Sequence, residues 1–303
     1  MIANSSSTKG LLFLTFCCVL FPYVGPKIIP SDNQPFALIL AFMFLLYQRN
    51  IIVLKRHYSL AIPVLIALFI GILEYDNVVV SIRSFVGYTS FLVLNIFFYN
   101  HSLKHKFPVR LFKRVILVWL FVALFQFCFD KSFLSSIVSN FRIHELRGVV
   151  SLASEPSYLG VTGCFFLIIS SQFLRSNVYS FLSVVLVGLS QSGFAIILLF
   201  FFLFSLFMTR IVKARIKTKL VFSFLLLSLA LLVIHVAKDT SLLSQRLAFV
   251  VDSLARDPMS FIYSDASAAD RFFHVFYSFR GFFENYFLPN GFSYWEVFAW
   301  DKF

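Results

Sequence analysis

The stretch "SQSGFAIILLFFFLFSLFMTRIVKARIKTK", residues 190–219, joins a long apolar run to a strongly basic segment. Residues 193–209 carry no charge, and five Lys or Arg residues follow within positions 210–219. An uncharged run of this length predicts a helix that crosses a lipid bilayer, and Lys and Arg at its end are typical of the cytoplasmic side. The stretch therefore predicts a membrane span and orients the segments around it.

The whole chain has the composition of a polytopic membrane protein, because 59% of its 303 residues are hydrophobic, 13% are charged and 43 are Phe. We predict an all-α fold, a polytopic integral membrane helix bundle of about nine spans that forms a single domain over residues 1–303. The predicted spans cover residues 10–29, 35–54, 58–73, 78–99, 110–129, 156–173, 177–190, 193–209 and 219–237.

The net charge of +12 follows from this topology and calls for no nucleic acid partner. With the N-terminus in the cytoplasm, the cytoplasmic segments hold 15 of the 26 Lys and Arg residues, and all 14 Asp and Glu residues fall on the other side. Cytoplasmic loops prefer Lys and Arg in this way. A single crossing by residues 177–209 would put the basic segment outside, so we predict two spans there.

Two of the predicted outside segments stand out, at 130–155 and 238–303. The first leads into span six through "RGVVSLASEPSYLG", residues 147–160. Pro156 suits the first turn of a helix, and a helix N-terminus attracts phosphate, which Arg142 and Arg147 could bind through two parallel hydrogen bonds each. The alternative is that Glu155 caps the helix while Arg147 reaches lipid headgroups.

Charged and aromatic residues also mark two other places. Arg83 lies inside span four, where a buried arginine normally has a partner; Glu74 and Asp76 are the nearest carboxylates, and the pair could serve packing alone. In the second outside segment, "ADRFFHVFYSFRGFF", residues 269–283, predicts an amphipathic helix at the membrane interface. Its aromatic residues could stack on sugars or anchor the chain at the interface.

The order of these features resembles the O-antigen polymerases and ligases, polytopic enzymes that act on glycans linked to undecaprenyl diphosphate. The resemblance covers about half of the chain, from span five onward. It rests on "RGVVSLASEPSYLG" at 147–160, "GLSQSGFAIILL" at 188–199 and "DRFFHVFYSFRGFFENYFLPNGFSYW" at 270–295. The break before span eight lacks the arginine that the family often has there.

Two details favour a polymerase over a ligase. Arg280 and Gly291 have the Arg-x10-Gly spacing described for the polymerases. Ligases carry a His followed by a small polar residue in the late loop, whereas His274 is followed by Val275.

The resemblance implies a glycosyltransferase of the bacterial cytoplasmic (inner) membrane. It would transfer a glycan chain from undecaprenyl diphosphate to a lipid-linked acceptor unit at the outer face, in the synthesis of O-antigen, capsule or exopolysaccharide. The expected partners are the lipid-linked oligosaccharides, membrane lipids and a chain-length regulator protein. The rival functions are a ligase, a flippase or transporter of lipid-linked oligosaccharide, and a non-catalytic scaffold.

The resemblance and the residue chemistry together suggest a site. The expected substrate-binding residues are Arg83, Arg142, Arg147, Arg271 and Arg280. Glu155 and His274 are the preferred bases, with His144, Asp270 and Glu284 as further candidates. Arginines can neutralise the departing diphosphate, and the sequence has neither an Asp-x-Asp motif nor a glycine-rich phosphate loop. We therefore expect neither a metal nor a cofactor.

Overall fold

The computed structural model describes residues 6–26, 32–48, 51–73, 78–105, 107–143, 148–213 and 266–287. This part of the chain is helical, and its one β-type pairing is an isolated bridge between Val24 and Val138. The helices are α1 Ser6–Leu20, α2 Phe36–Tyr47, α3 Lys55–Leu73, α4 Val78–Lys104, α5 Val109–Cys128, α6 Pro156–Ile169, α7 Asn177–Ser190, α8 Gly193–Lys213 and α9 Ala266–Glu284. The predicted all-α character is confirmed for the described residues.

Four of these helices are long and apolar enough to cross a membrane. Their apolar parts are Lys55–Ile72, Ser81–Lys104, Val109–Cys128 and Pro156–Leu174, the last including a π-helical turn at Ser170–Leu174. Shorter apolar helices lie at Gly10–Leu20, Phe36–Tyr47, Asn177–Ser190 and Gly193–Ser205. The chain therefore has membrane-type helices, while the number of nine spans and their orientation remain predictions.

Helices occupy the first eight predicted spans, but two of these helices are shorter than predicted. The span predicted at 10–29 ends as a helix at Leu20, because the chain turns at Pro22 and Tyr23 and Val24 then pairs with Val138. The span predicted at 35–54 ends at Tyr47, and residues 51–54 are not helical. The ninth predicted span, 219–237, lies outside the described residues.

The chain divides into two compact units. The first contains residues 1–108, 136–140 and 270–303. Its apolar core joins α2 to α4, where Phe44 meets Phe97 edge to face with ring centroids 5.1 Å apart. The buried Asn100 side chain donates to Ile52 O at 3.0 Å and accepts from Ile52 N at 2.9 Å. The loop before α3 is thus held against α4.

The second unit contains residues 109–135 and 141–269. Here α6 packs against α7 and α8, and α5 packs against α7. Trp119 on α5 is fully buried and meets Phe166 edge to face, with ring centroids 6.1 Å apart. At Gly160 and Gly163, a side chain would collide with Ala195 and Val187 respectively. Small residues therefore let α6 approach its neighbours closely, as in membrane helix packing.

The predicted break between 177–190 and 193–209 is confirmed as a boundary between two helices. Helix α7 ends at Ser190, and Gln191 adopts a left-handed conformation with φ of 46°. The Ser190 hydroxyl donates to Val187 O at 2.6 Å, and Ser192 Oγ accepts from Ala195 N at 3.4 Å. The two serines thus satisfy backbone groups that the end of one helix and the start of the next leave unpaired.

Candidate functional site

The segment 148–155 leads into α6 and is held against the end of α7 by backbone contacts. Val149 N donates to Leu189 O at 3.1 Å, at the end of α7. Gly148 lies so close to this helix end that a Cβ atom would be 2.2 Å from Leu189 O. Only glycine fits at that position without displacing the backbone. The segment therefore reaches Glu155 along a fixed path, and α6 begins at Pro156 as predicted.

A buried amide on α5 fixes the middle of this segment. Gln126 is 1% exposed. Its Nε2 donates to Phe133 O at 2.8 Å and to Ser151 O at 3.1 Å. Its Oε1 accepts from Ser151 N at 2.6 Å and from Val150 N at 3.2 Å. In addition, the Ser151 hydroxyl donates to Trp119 O at 2.8 Å. Two positions of α5 therefore hold Ser151.

At the end of the segment, two predicted site residues come together. Arg142 Nη2 lies 3.6 Å from Glu155 Oε2, and the Arg142 backbone N–H donates to Ser154 O at 2.8 Å. The Arg142 side chain is 47% exposed and that of Glu155 is 18% exposed. One member of the ion pair thus reaches solvent or lipid headgroups, while its partner is largely covered.

Glu155 occupies the N-cap position of α6 but caps the helix with its backbone only. Its backbone is extended, and its carbonyl accepts from Tyr158 N at 3.1 Å and Leu159 N at 3.3 Å. Within the described residues, no hydrogen bond joins its carboxylate to the first turn. The carboxylate faces Arg142 instead, so the side-chain cap considered from the sequence is not formed.

The Ser154 hydroxyl is the least satisfied polar group beside this pair. Ser154 is fully buried, and its Oγ has no hydrogen-bond partner among the described residues. The hydroxyl, the carboxylate and the N-terminus of α6 therefore lie in consecutive residues, 154–156, and the Arg142 guanidinium is 3.6 Å from the carboxylate. Such a set can bind an anionic group through the guanidinium and helix N-terminus and accept a proton at the carboxylate.

The other predicted site residues in the described chain lie in the first unit. Arg83 is exposed on the second turn of α4, and its suggested partners Glu74 and Asp76 lie outside the described residues. Arg280 on α9 forms an ion pair with Glu284, with 2.7 Å between Arg280 Nε and Glu284 Oε1 and both side chains about half exposed. Glu284 is thus engaged with an arginine one turn away.

The remaining predicted residues can be located only in part. Asp270, Arg271 and His274 lie on α9, which confirms the predicted helix there, but their side chains are outside the described part of the structure. His144 and Arg147 are also outside it. Of the predicted substrate and base residues, the structure therefore brings together Arg142 with Glu155 and Arg280 with Glu284.

Sequence reasoning missed the residues that support the pair. Gln126 is the one amide in the otherwise apolar run from Val115 to Cys128, and a polar residue inside a predicted span is itself a signal of function or specific packing. Ser154 is a candidate cap of α6 from its position before Pro156, whereas Ser151 carries no local signal of its role. Their roles depend on a chain reversal that no local pattern encodes.

Among the described residues, no group of three or more His, Cys, Asp or Glu side chains could hold a metal ion. No protein-family model, characterised protein or solved structure matches the chain.

Proposed function

We propose that this chain is a polysaccharide repeat-unit polymerase of the bacterial cytoplasmic membrane. In this proposal, a polytopic bundle of nine spans with its N-terminus in the cytoplasm presents the start of α6 at the outer face. The enzyme transfers a glycan chain from undecaprenyl diphosphate to the sugar end of a lipid-linked repeat unit. The observation that carries the proposal is the Arg142–Glu155 pair beside the N-terminus of α6.

The proposed transfer reaction requires two kinds of group from the protein: positive charges that neutralise the diphosphate and a base that accepts the hydroxyl proton. The bond between the anomeric carbon and the diphosphate oxygen breaks, and a bond forms between that carbon and a hydroxyl oxygen of the acceptor. In the proposal, Glu155 accepts the hydroxyl proton. Arg142 and Arg147 neutralise the charge that develops on the departing diphosphate, assisted by the helix N-terminus.

The remaining predicted residues take the second substrate in this scheme. Arg83, Arg271 and Arg280 would bind the diphosphate of the acceptor lipid, and His274 is the alternative base. The aromatic residues of α9 would contact sugars or the membrane interface. The distribution of Lys and Arg along the sequence supports an outer location for Glu155, since the basic segments alternate with the predicted outside ones.

The test is complementation of a strain from which the corresponding gene is deleted. Surface glycan is separated on a gel after expression of wild type, Arg142→Gln or Glu155→Gln at equal membrane levels. The matched control is Arg114→Gln, which removes an exposed arginine from the predicted cytoplasmic end of α5. We expect wild type and Arg114→Gln to restore a ladder, and the two site variants to leave a single repeat unit on its anchor.

Other outcomes point elsewhere. Full ladders from both site variants would remove the Arg142–Glu155 pair from the mechanism. A deletion strain that lacks even the single unit would indicate ligation or flipping instead of polymerisation. Normal glycan in the deletion strain would contradict any enzymatic role in this product.

A further inference from the structure

Gln126 is buried in α5 with its amide fully used in hydrogen bonding. A carboxamide has two N–H donors and two acceptor sites, and the four contacts to Phe133 O, Ser151 O, Ser151 N and Val150 N use all of them. An amide inside an apolar helix is unfavourable unless it is satisfied in this way. All four partners are backbone groups outside α5, so the Gln126 side chain holds the segments that follow the helix rather than the helix itself.

The contacts of Gln126 concentrate on Ser151, whose conformation is unusual. Both the N–H and the C=O of Ser151 are bound by the same amide, much as a neighbouring strand would bind them. Ser151 has φ of 55°, a left-handed conformation that a non-glycine residue adopts only when its surroundings fix it. Its hydroxyl adds a third tie, to Trp119 O.

Ser151 is connected to the Arg142–Glu155 pair by a short, ordered path. Ala153 N donates to Val150 O at 3.1 Å, which closes a turn over Ser151. Ser154 O then accepts from Arg142 N at 2.8 Å, immediately before Glu155. A shift of Ser151 would therefore move both the carboxylate and the backbone that holds the arginine.

We infer that Gln126 is a positioning residue of the proposed transfer site, acting through Ser151 on Glu155 and Arg142. Gln126 itself does not touch substrate. This inference rests on the proposed function, because it assigns Gln126 the task of setting the base and the diphosphate-binding arginine at the distance that transfer needs. It predicts that the amide matters for turnover more than for substrate affinity.

The experiment uses the full chain in lipid nanodiscs with a lipid-linked repeat unit as substrate. The variant is Gln126→Glu, which keeps size and shape but replaces the NH2 group that donates to both Phe133 O and Ser151 O with a carboxyl oxygen. The matched control is Gln172→Glu, which makes the same change at an exposed glutamine of the π-helical turn. Two quantities are measured: the rate of chain extension against substrate concentration, and backbone hydrogen exchange over residues 148–157.

We expect Gln126→Glu to lower kcat by about 100-fold with little change in KM, as for a small misplacement of a reacting group. We also expect hydrogen exchange in 148–157 to accelerate while exchange in α7 and α8 stays unchanged. Gln172→Glu should leave both measurements as in wild type. Unchanged exchange in 148–157, or faster exchange with wild-type kcat, would overturn the inference.

Two further outcomes are separable. If wild type itself extends no chain, the proposed function fails, while faster exchange in Gln126→Glu would still support the hold of Gln126 on the segment. If Gln126→Glu does not fold, Gln126→Asn tests the same link, since it keeps a neutral amide on a side chain one methylene shorter, which cannot reach Ser151 N and Ser151 O in the same way. Wild-type kcat in a folded Gln126→Asn protein with faster exchange in 148–157 would then contradict the positioning role.

Discussion

At Gly148 and at Glu155 the properties of single residues determine the shape of the site. Gly148 lets one backbone lie against another, and Glu155 starts a helix with its backbone while offering its carboxylate to Arg142. The sequence identifies Arg142 and Glu155 as candidates because charges are rare in this chain. It does not identify Gly148, because a glycine in a loop has no local feature that reports a close approach from a distant helix.

Gly148→Ala should destabilise the second unit. The added methyl would lie 2.2 Å from Leu189 O and 2.5 Å from Ser190 C, both backbone atoms that cannot rotate away. We expect a loss of about 1–3 kcal/mol in the free energy of unfolding. The control is Gly188→Ala on α7, where a methyl would meet no described atom within 4 Å. Thermal unfolding in detergent measures both, and equal shifts in Tm would contradict the packing argument.

The Arg142–Glu155 pair should contribute little to stability. Arg142 is about half exposed, and its Nη2 lies 3.6 Å from Glu155 Oε2. A double-mutant cycle with Arg142→Gln and Glu155→Gln should therefore give a coupling free energy of at most about 1 kcal/mol. The same two variants should nevertheless abolish chain extension. A coupling of several kcal/mol, accompanied by retained activity, would instead make the pair a structural tie.

At the scale of helices, the apolar runs predict where most elements lie but not where they end. An apolar side chain indicates that a residue is shielded from water by lipid or by protein. It does not distinguish a residue in a helix from a residue in a loop. This is why the predicted first span runs past Leu20 into a segment that turns and pairs with Val138. The starts of α6 and α8 and the end of α7 agree with the predicted spans, because Pro156, Ser190 and Ser192 carry their own conformational preferences.

The close packing of α6 on α8 predicts that a destabilising substitution on α6 can be compensated by a second substitution on α8. Gly160→Ala would place a methyl 2.3 Å from Ala195 Cβ and 2.7 Å from Ser190 Oγ, so we expect a lower Tm. Adding Ala195→Gly removes the nearest of these atoms and should recover part of the loss. Thermal unfolding of the single and double variants measures this. A double variant less stable than Gly160→Ala alone would mean that α6 and α8 do not meet at these residues.

At the scale of the whole chain, orientation in the membrane is a prediction that charge alone supports. Helix α5, and α6 together with its π-helical turn, are each long enough to cross, and the basic residues Arg114 and Arg175 lie toward the ends away from the Arg142–Glu155 pair. Composition can predict such a pattern because it is summed over many residues. Composition cannot predict the contacts of Gln126, because they depend on the position of a single side chain relative to the segment around Ser151.

Cysteine labelling tests this orientation. In a background without Cys17, Cys18, Cys128 and Cys164, single cysteines replace Arg114, Arg142 or Arg175 in turn. A membrane-impermeant maleimide added to intact cells should label position 142, whereas positions 114 and 175 should need permeabilised cells. Labelling of 114 in intact cells, with 142 protected, would reverse the proposed orientation.

The clamp that Asn100 places on Ile52 has a consequence for the order of assembly during synthesis. The two residues are 48 positions apart, and Asn100 also donates to Ile96 O within its own helix. A ribosome adding about 5–20 residues per second would make Ile52 several seconds before its partner. During that interval, the loop between α2 and α3 has an unpaired backbone N–H and C=O at Ile52. Only the emergence of α4 supplies the amide that pairs with these groups, so truncation before residue 100 should leave this loop accessible to protease.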